Sequence, residues 1–308
     1  ETIAEKESRR VTRSNVLEDI GNRLTYLDDQ DPYYVSRFFP KLTTPQWIGE
    51  EGVEAAVILS IDDLGDPQKY ESYLRPILER LKQIDGRAPL SITTNKVDPN
   101  HPQLQTWLGE GLSIDAHTTS HKCPMMAGGD LAVVKEDYDR CIDLLASIPG
   151  NRPTAFRVPC CDSMNATSPR FFTEIFNKTT PNGNFATMSS SVFHLYTPDD
   201  PDLPRELVED ENGVGKFEKY IPEDRAFANY VENYPYPYVI GGLCWEFPAQ
   251  MPSDWDAQHL QQPNNPFTVE DLKSALDSTV LKQGVFTLCF HPHNWIENRQ
   301  IVDLIDHA

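Results

Sequence analysis

The chain has 308 residues, with 27 Lys and Arg set against 47 Asp and Glu, for a formal net charge of −20. That length accommodates one large α/β domain or two small ones and allows a substantial buried core. The acidic balance excludes nucleic acid, which needs a basic footprint, and disfavours anionic membrane surfaces; a neutral or cationic ligand, or a metal cation, suits this field better.

No apolar run reaches the roughly 18 residues of a membrane span. No basic-then-apolar leader is visible, and the chain begins at Glu1 rather than Met, as expected of a processed form. Six cysteines, Cys123, Cys141, Cys160, Cys161, Cys244 and Cys289, are scattered without a C-x-x-C pair. That argues against a zinc ribbon or a small disulfide scaffold. Most are expected to be free and packed, with an isolated disulfide left open.

Residues 1–52 are charged and then aromatic (Tyr33, Tyr34, Phe38, Phe39, Trp47) and are expected to form a helical and irregular extension packed on a main body, 53–308. Ala55 to Ile61 is a nearly continuous apolar run, the pattern of a buried parallel strand, and it ends in Asp62-Asp63. Tyr70, Tyr73, Leu74, Ile77, Leu78, Leu81 and Ile84 then follow helical spacing. The alternation continues: a strand over 90–93, a helix over 104–108, a strand over 112–114 leading into His117, a helix over 131–145, and a strand over 154–156 entering Arg157. A helix over 171–176, weaker strands near 185–188 and 239–245, a clear strand over 285–290 leading into His291, and a last helix from Ile301 complete the series. Residues 197–237, acidic and rich in proline and tyrosine, read as a long loop insertion over the mouth of the domain. Seven strands alternating with helices predict a parallel sheet. Polar motifs at several strand ends favour a distorted, incomplete (β/α)7 barrel over an open sheet.

Four of those strand ends carry chemistry. Two carboxylates, Asp62 and Asp63, beside an apolar core are costly unless a cation relieves them. They converge only if the strand stops there, which Gly65 and Pro67 permit. His117 and His121 are four apart, which on a helical turn puts both imidazoles on one face, as in zinc-binding pairs. Arg157, stiffened by Pro159, is placed to orient a carboxylate through paired hydrogen bonds. His291, with His293 as a rival, suits acid–base work near neutrality. Taken singly, each motif also fits a surface or structural role; four in this order on four strand ends do not.

The ordered set resembles the polysaccharide deacetylase family, also called carbohydrate esterase family 4, over about residues 53–308. Ser60-Ile61-Asp62-Asp63 matches its first motif, His117 to His121 its second, Arg157 to Pro159 its third, and Leu288 to His291 its last. Leu64 stands where the family usually has a glycine, and Cys160-Cys161 where it usually continues Tyr-Gly. Met188-Ser-Ser-Ser and Ser253-Asp254-Trp255 look like the atypical branch with peptidoglycan deacetylases and allantoinase-like proteins. The family usually adds a strand after the last helix; this chain ends at Ala308, so a barrel either truncated or left open is expected.

The resemblance implies Asp63, His117 and His121 as ligands of a divalent metal, with Zn2+ the expected ion. It implies Asp62 as base, Arg157 as its holder, the Cys160 backbone N–H as an oxyanion donor, His291 as acid with Asp254 keeping it charged, and Trp255 lining the groove. The implied partner is an acetylated oligo- or polysaccharide, N- or O-acetylated, and the implied address is extracytoplasmic or in the cell envelope. Two alternatives remain at this point: an allantoinase-like amidohydrolase on a small cyclic amide, and a non-catalytic carbohydrate-binding protein, which should have lost a ligand or the base.

Overall fold

The computed structural model describes residues 52–126, 128–161, 169–221, 230–240 and 244–308. The expected extension, 1–52, falls almost entirely outside them. Strand β1 (Ala56–Ile61) becomes progressively more buried along its length, and Asp66 then caps helix α1 (Pro67–Asp85) by accepting from the Gln68 and Lys69 backbone N–H groups. Pro67 opens that helix and Gly86, at φ 74°, closes it in the left-handed conformation that glycine adopts cheaply. The buried stripe Tyr70, Leu74, Ile77 and Leu78 seats it on the sheet.

The same unit recurs with β2 (Ser91–Thr94), α2 (Pro102–Glu110), β3 (Ser113–Ala116), α3 (Leu131–Ala146) and β4 (Ala155–Phe156). A short turn α4 (Pro169–Phe171) runs into a π-helical stretch at Phe172–Phe176. Then come β5 (Met188–Ser189), β6 (Phe193–Leu195), α5 (Arg205–Val208), β7 (Tyr230–Glu232), β8 (Tyr238–Ile240), β9 (Cys244–Glu246) and β10 (Ala249–Gln250). Helices α6 (Asp254–Leu260) and α7 (Pro266–Leu281), strand β11 (Val285–Phe290) and helix α8 (Asn298–His307) finish the chain.

Eight strands form one curled sheet in the order β11-β1-β2-β3-β4-β5-β9-β8, and β10-β6-β7 form a small second sheet. This is the incomplete α/β barrel that the alternation predicts, open between its end strands. One difference is local: the segment expected as a single strand over 239–245 is an antiparallel pair, β8 against β9. Apolar residues alone do not distinguish one strand from two short ones. The described part of 197–237 is not a bare loop. It holds α5, a 3-10 turn at Glu218–Tyr220 and β7, and it leans on α7 through Tyr220 Oη to Asp271 (2.7 Å) and Lys216 Nζ to Ser274 (3.1 Å).

Register is what positions the site. Pairing of Ile61 with Phe290 makes Asp62 and His291 emerge side by side. Pairing of Ile61 with Ile92 sets Thr93 beside Asp62, pairing of Ala116 with Phe156 sets His117 beside Arg157, and pairing of Phe156 with Ser189 sets Ser190 beside Arg157. In a parallel sheet all strands end at the same edge, so these groups meet there.

Candidate metal centre and acid–base cleft

β1 stops at Ile61, and Asp63 takes a φ of 67°, turning the second carboxylate back toward the first instead of to the opposite face. Leu64 after it is fully buried and its carbonyl accepts from Thr94 Oγ1 at 2.9 Å, which anchors the turn despite the missing glycine. Thr118, His121, Cys160 and Cys161 also have positive φ. Non-glycine residues in that region cost on the order of 1–3 kcal/mol each and collect where function demands the geometry.

The two histidines do not sit on a helical turn as their spacing suggested. They lie on an irregular loop after β3, held by Ser120, whose backbone N–H and Oγ both bond Asp137 of α3 (2.9 and 2.6 Å). The imidazoles nonetheless meet, with ring centroids 4.8 Å apart. His121 Nε2 is 3.0 Å and His117 Nε2 3.6 Å from Asp63 Oδ1. One donor atom from each of the three residues lies within 4.8 Å of the others. Asp63 Oδ1 is buried and meets no donor in good hydrogen-bond geometry. His117 Nδ1 is 2.8 Å from the Arg157 carbonyl, which fixes Nδ1 as the protonated nitrogen and leaves the Nε2 lone pair facing Asp63. Burial also holds the His117 pKa below its ordinary value, although Asp62 and Asp63 oppose this, and so favours the neutral ring a ligand needs. A carboxylate and two imidazoles converging on an unsatisfied oxygen fit a divalent cation of the zinc type.

Asp62 is 2% exposed. Its Oδ1 accepts from Thr93 Oγ1, and its Oδ2 from the Cys289 thiol at 3.2 Å. Despite burial, Arg157 and then His117 keep its carboxyl below the usual range and therefore ionised. Arg157 does this differently from the expectation. Its Nη1 is 3.7 Å from Asp62 Oδ2, an ion pair rather than paired hydrogen bonds. Nη2 instead donates to Ser60 Oγ (2.8 Å) and Ser190 Oγ (3.1 Å). The serines take the fork because register puts Ser190 directly beside Arg157.

His291 is tied to Asp254 at the start of α6. Its backbone N–H donates to Oδ2 (2.7 Å) and its Nδ1 lies 2.8 Å from Oδ1. Burial alone would lower its pKa, but Asp254 first, with Asp62 and Asp63, raises it to about 9. His293 reaches Asp63 Oδ2 at 3.5 Å from the cleft rim, where Trp295 lies against both histidines at 4.9 Å.

Asp62, Asp63, His117, His121, Cys160, Trp255 and His291 thus all border one cleft, with Arg157 and Asp254 buried behind it. Cys161, Phe193, Cys289 and Trp295 complete the wall and carry no sequence signal of their own. Cys123 and Cys160 form a disulfide, while Cys141, Cys161, Cys244 and Cys289 are buried and stand outside any disulfide. The bond ties the loop after His121 to the loop after Arg157, and explains a cysteine where the resembled family has tyrosine.

Fold and cleft together give an α/β half-barrel with an Asp-His-His cluster flanked by a buried carboxylate and by His291 paired with Asp254. The family model described as polysaccharide deacetylase matches residues 50–170. A search of curated proteins finds no significant match. Similar solved structures include a putative polysaccharide deacetylase from Mycobacterium smegmatis, 15% identical, with a TM-score of 0.53, covering 86% of this chain and 88% of that one. They also include the Puue allantoinase, 15% identical, with a TM-score of 0.52, covering 90% and 91%. At such identities the likeness is one of fold.

Proposed function

We propose that this protein is a metal-dependent hydrolase that removes acetyl groups from an acetylated carbohydrate. The observation that carries the reading is the convergence of Asp63, His117 and His121, with Asp63 Oδ1 buried and unsatisfied and the His117 Nε2 lone pair turned toward it. A divalent ion there, zinc by the donor set, would supply a Lewis acid for the acyl carbonyl and an acidified water.

The chain's own groups do the rest. Asp62, kept ionised beside Arg157 and oriented by Thr93, takes the proton of the attacking water. His291, protonated through Asp254, faces the cleft with Nε2 and delivers a proton to the departing amine or alcohol. The Cys160 backbone N–H is assigned to the developing oxyanion, in a loop fixed by the disulfide. The cleft volume is about 180 Å³. That is below the roughly 300–1,000 Å³ of pockets that engulf a whole ligand, which favours a small acyl group entering while the sugar lies across Trp255 and Trp295. The disulfide favours an oxidising, extracytoplasmic compartment.

One half-barrel fold is shared by a putative deacetylase and an allantoinase, so fold alone does not choose the substrate. The test is acetate release from chitin oligomers, peptidoglycan and acetylated xylan, with allantoin alongside, before and after chelation. Chelator-sensitive acetate release supports the reading. Turnover of allantoin alone, or acetate release indifferent to chelation, overturns it.

A further inference from the structure

Beside the first cluster lies a second. Asp62, Cys289 and His291 also offer a carboxylate oxygen, a sulfur and an imidazole nitrogen all within 4.8 Å of one another. We propose that these three residues form a second, thiophilic cation site whose occupation shuts the cleft down. The inference rests on the reading above, since Asp62 and His291 are the base and the acid there.

Four observations carry it. The His291 Nδ1 contact with Asp254 Oδ1 leaves Nε2 as the free donor, the carboxylate–histidine arrangement that orients metal-binding imidazoles. The Cys289 sulfur already points at Asp62 Oδ2, 3.2 Å away, so an ion replacing the thiol proton meets both atoms without a rotamer change. All three side chains border the open cleft. The buried Cys161 thiol borders the same cleft as Cys289. Register explains the grouping: Ser60 pairs with Cys289 and Ile61 with Phe290, so Cys289, Asp62 and His291 occupy one corner of adjoining strands.

The two clusters differ in chemistry. Asp63, His117 and His121 give one oxygen and two nitrogens, whereas the second adds sulfur and so selects soft ions: zinc in excess, or cadmium. Arg157, 3.7 Å from Asp62 Oδ2, repels a cation there, which makes this the weaker site and one filled only after the first. Loading exchanges the Cys289 proton, released to solvent, for the ion and engages Asp62 and His291 as ligands. Base and acid are withdrawn together, groups worth on the order of 10²–10⁴-fold in rate.

The experiment is a cadmium titration of the intact chain already holding one equivalent of zinc, followed by ultraviolet thiolate-to-metal charge-transfer absorbance and by counting bound ions. We expect one further equivalent with a sulfur charge-transfer band. Cys289→Ser should lose both the band and that equivalent while keeping the first ion and the native circular dichroism spectrum. In parallel, excess zinc should depress wild-type turnover at least tenfold, and Cys289→Ser much less relative to its own baseline. No band in the wild type, or a band that survives in Cys289→Ser, overturns the proposal. Should Cys289→Ser lose its native spectrum, Cys289→Ala and Cys161→Ser decide: the band must vanish in the first and persist, weakened, in the second. The band is read without substrate, so the second site stands or falls separately from the deacetylase reading.

Discussion

Asp254→Asn isolates one charge acting on one proton. The substitution keeps a carbonyl oxygen to accept from His291 Nδ1 and removes the anion that leads the upward shift of the His291 pKa from its ordinary 6.5 to about 9. That shift corresponds to about 3 kcal/mol favouring the protonated ring. A cation bound at Asp63 offsets the smaller contribution of that residue, so Asp254 dominates in the loaded enzyme. If the variant returns the pKa to about 6.5, the protonated fraction at pH 8 falls from about 0.9 to about 0.03, and kcat falls about 30-fold; at pH 6 the change is under about twofold. The assay is acetate release over pH 5–10 at saturating substrate, with bound metal measured in each sample. The basic limb should move down by about 2.5 units. An unmoved limb, or one uniform loss at every pH, refutes the argument and reduces Asp254 to a structural bond. The sign for stability is the same. A folded-state pKa above the unfolded one gives stabilisation that is complete below about 6.5 and is lost as pH rises through about 9, so in chelated protein the variant should lose stability at pH 6 and much less at pH 10.

Asp63→Asn should abolish stoichiometric zinc binding by calorimetry and take turnover with it, while thermal unfolding of the chelated protein changes little; undiminished zinc affinity would break the assignment of the centre. His291→Ala should cut kcat on the order of 10²–10⁴-fold and His293→Ala far less, since only His291 is held by a buried carboxylate; equal losses would reverse the roles. Cys123→Ser opens a loop of sequence separation 37 and should cost about 4 kcal/mol in the chain-entropy account, read as a lower Tm that reductant reproduces in the wild type. Glu246, buried with its pKa raised by desolvation, accepts from the Ser191 and Val192 backbone N–H groups. Glu246→Gln should therefore be mild and Glu246→Ala costly by about 1–3 kcal/mol per orphaned donor, as denaturant midpoints would show.

Much of the site could be read in the sequence because its residues follow apolar runs, and apolar runs fix strand ends. Asp62, Arg157 and His291 each stand at the step where a buried strand turns polar. What stayed hidden depends on neighbours across the ladder or on local backbone twist. Spacing suggested a helical turn for His117 and His121; the left-handed Thr118 and His121 supply a different route to the same convergence. The partners Ser60 and Ser190 for Arg157 follow only once register is known, because a shift of one residue would have offered it other side chains. Cys289 and the Cys123–Cys160 bond could not be found by spacing, since thiols far apart in sequence give no periodic signal. Leu64 shows the reverse. Leu64 stands where the resembled family has glycine, yet the turn forms with Asp63 itself in the left-handed region.

The pairing of β1 with β11 joins residues separated by 229 positions, Ile61 with Phe290. A nascent or truncated chain lacking the last strand would already own every ligand of the Asp63 centre but neither the proton donor nor the wall that shelters Asp62. On the proposed reading, the acid therefore joins the base only when β11 docks beside β1.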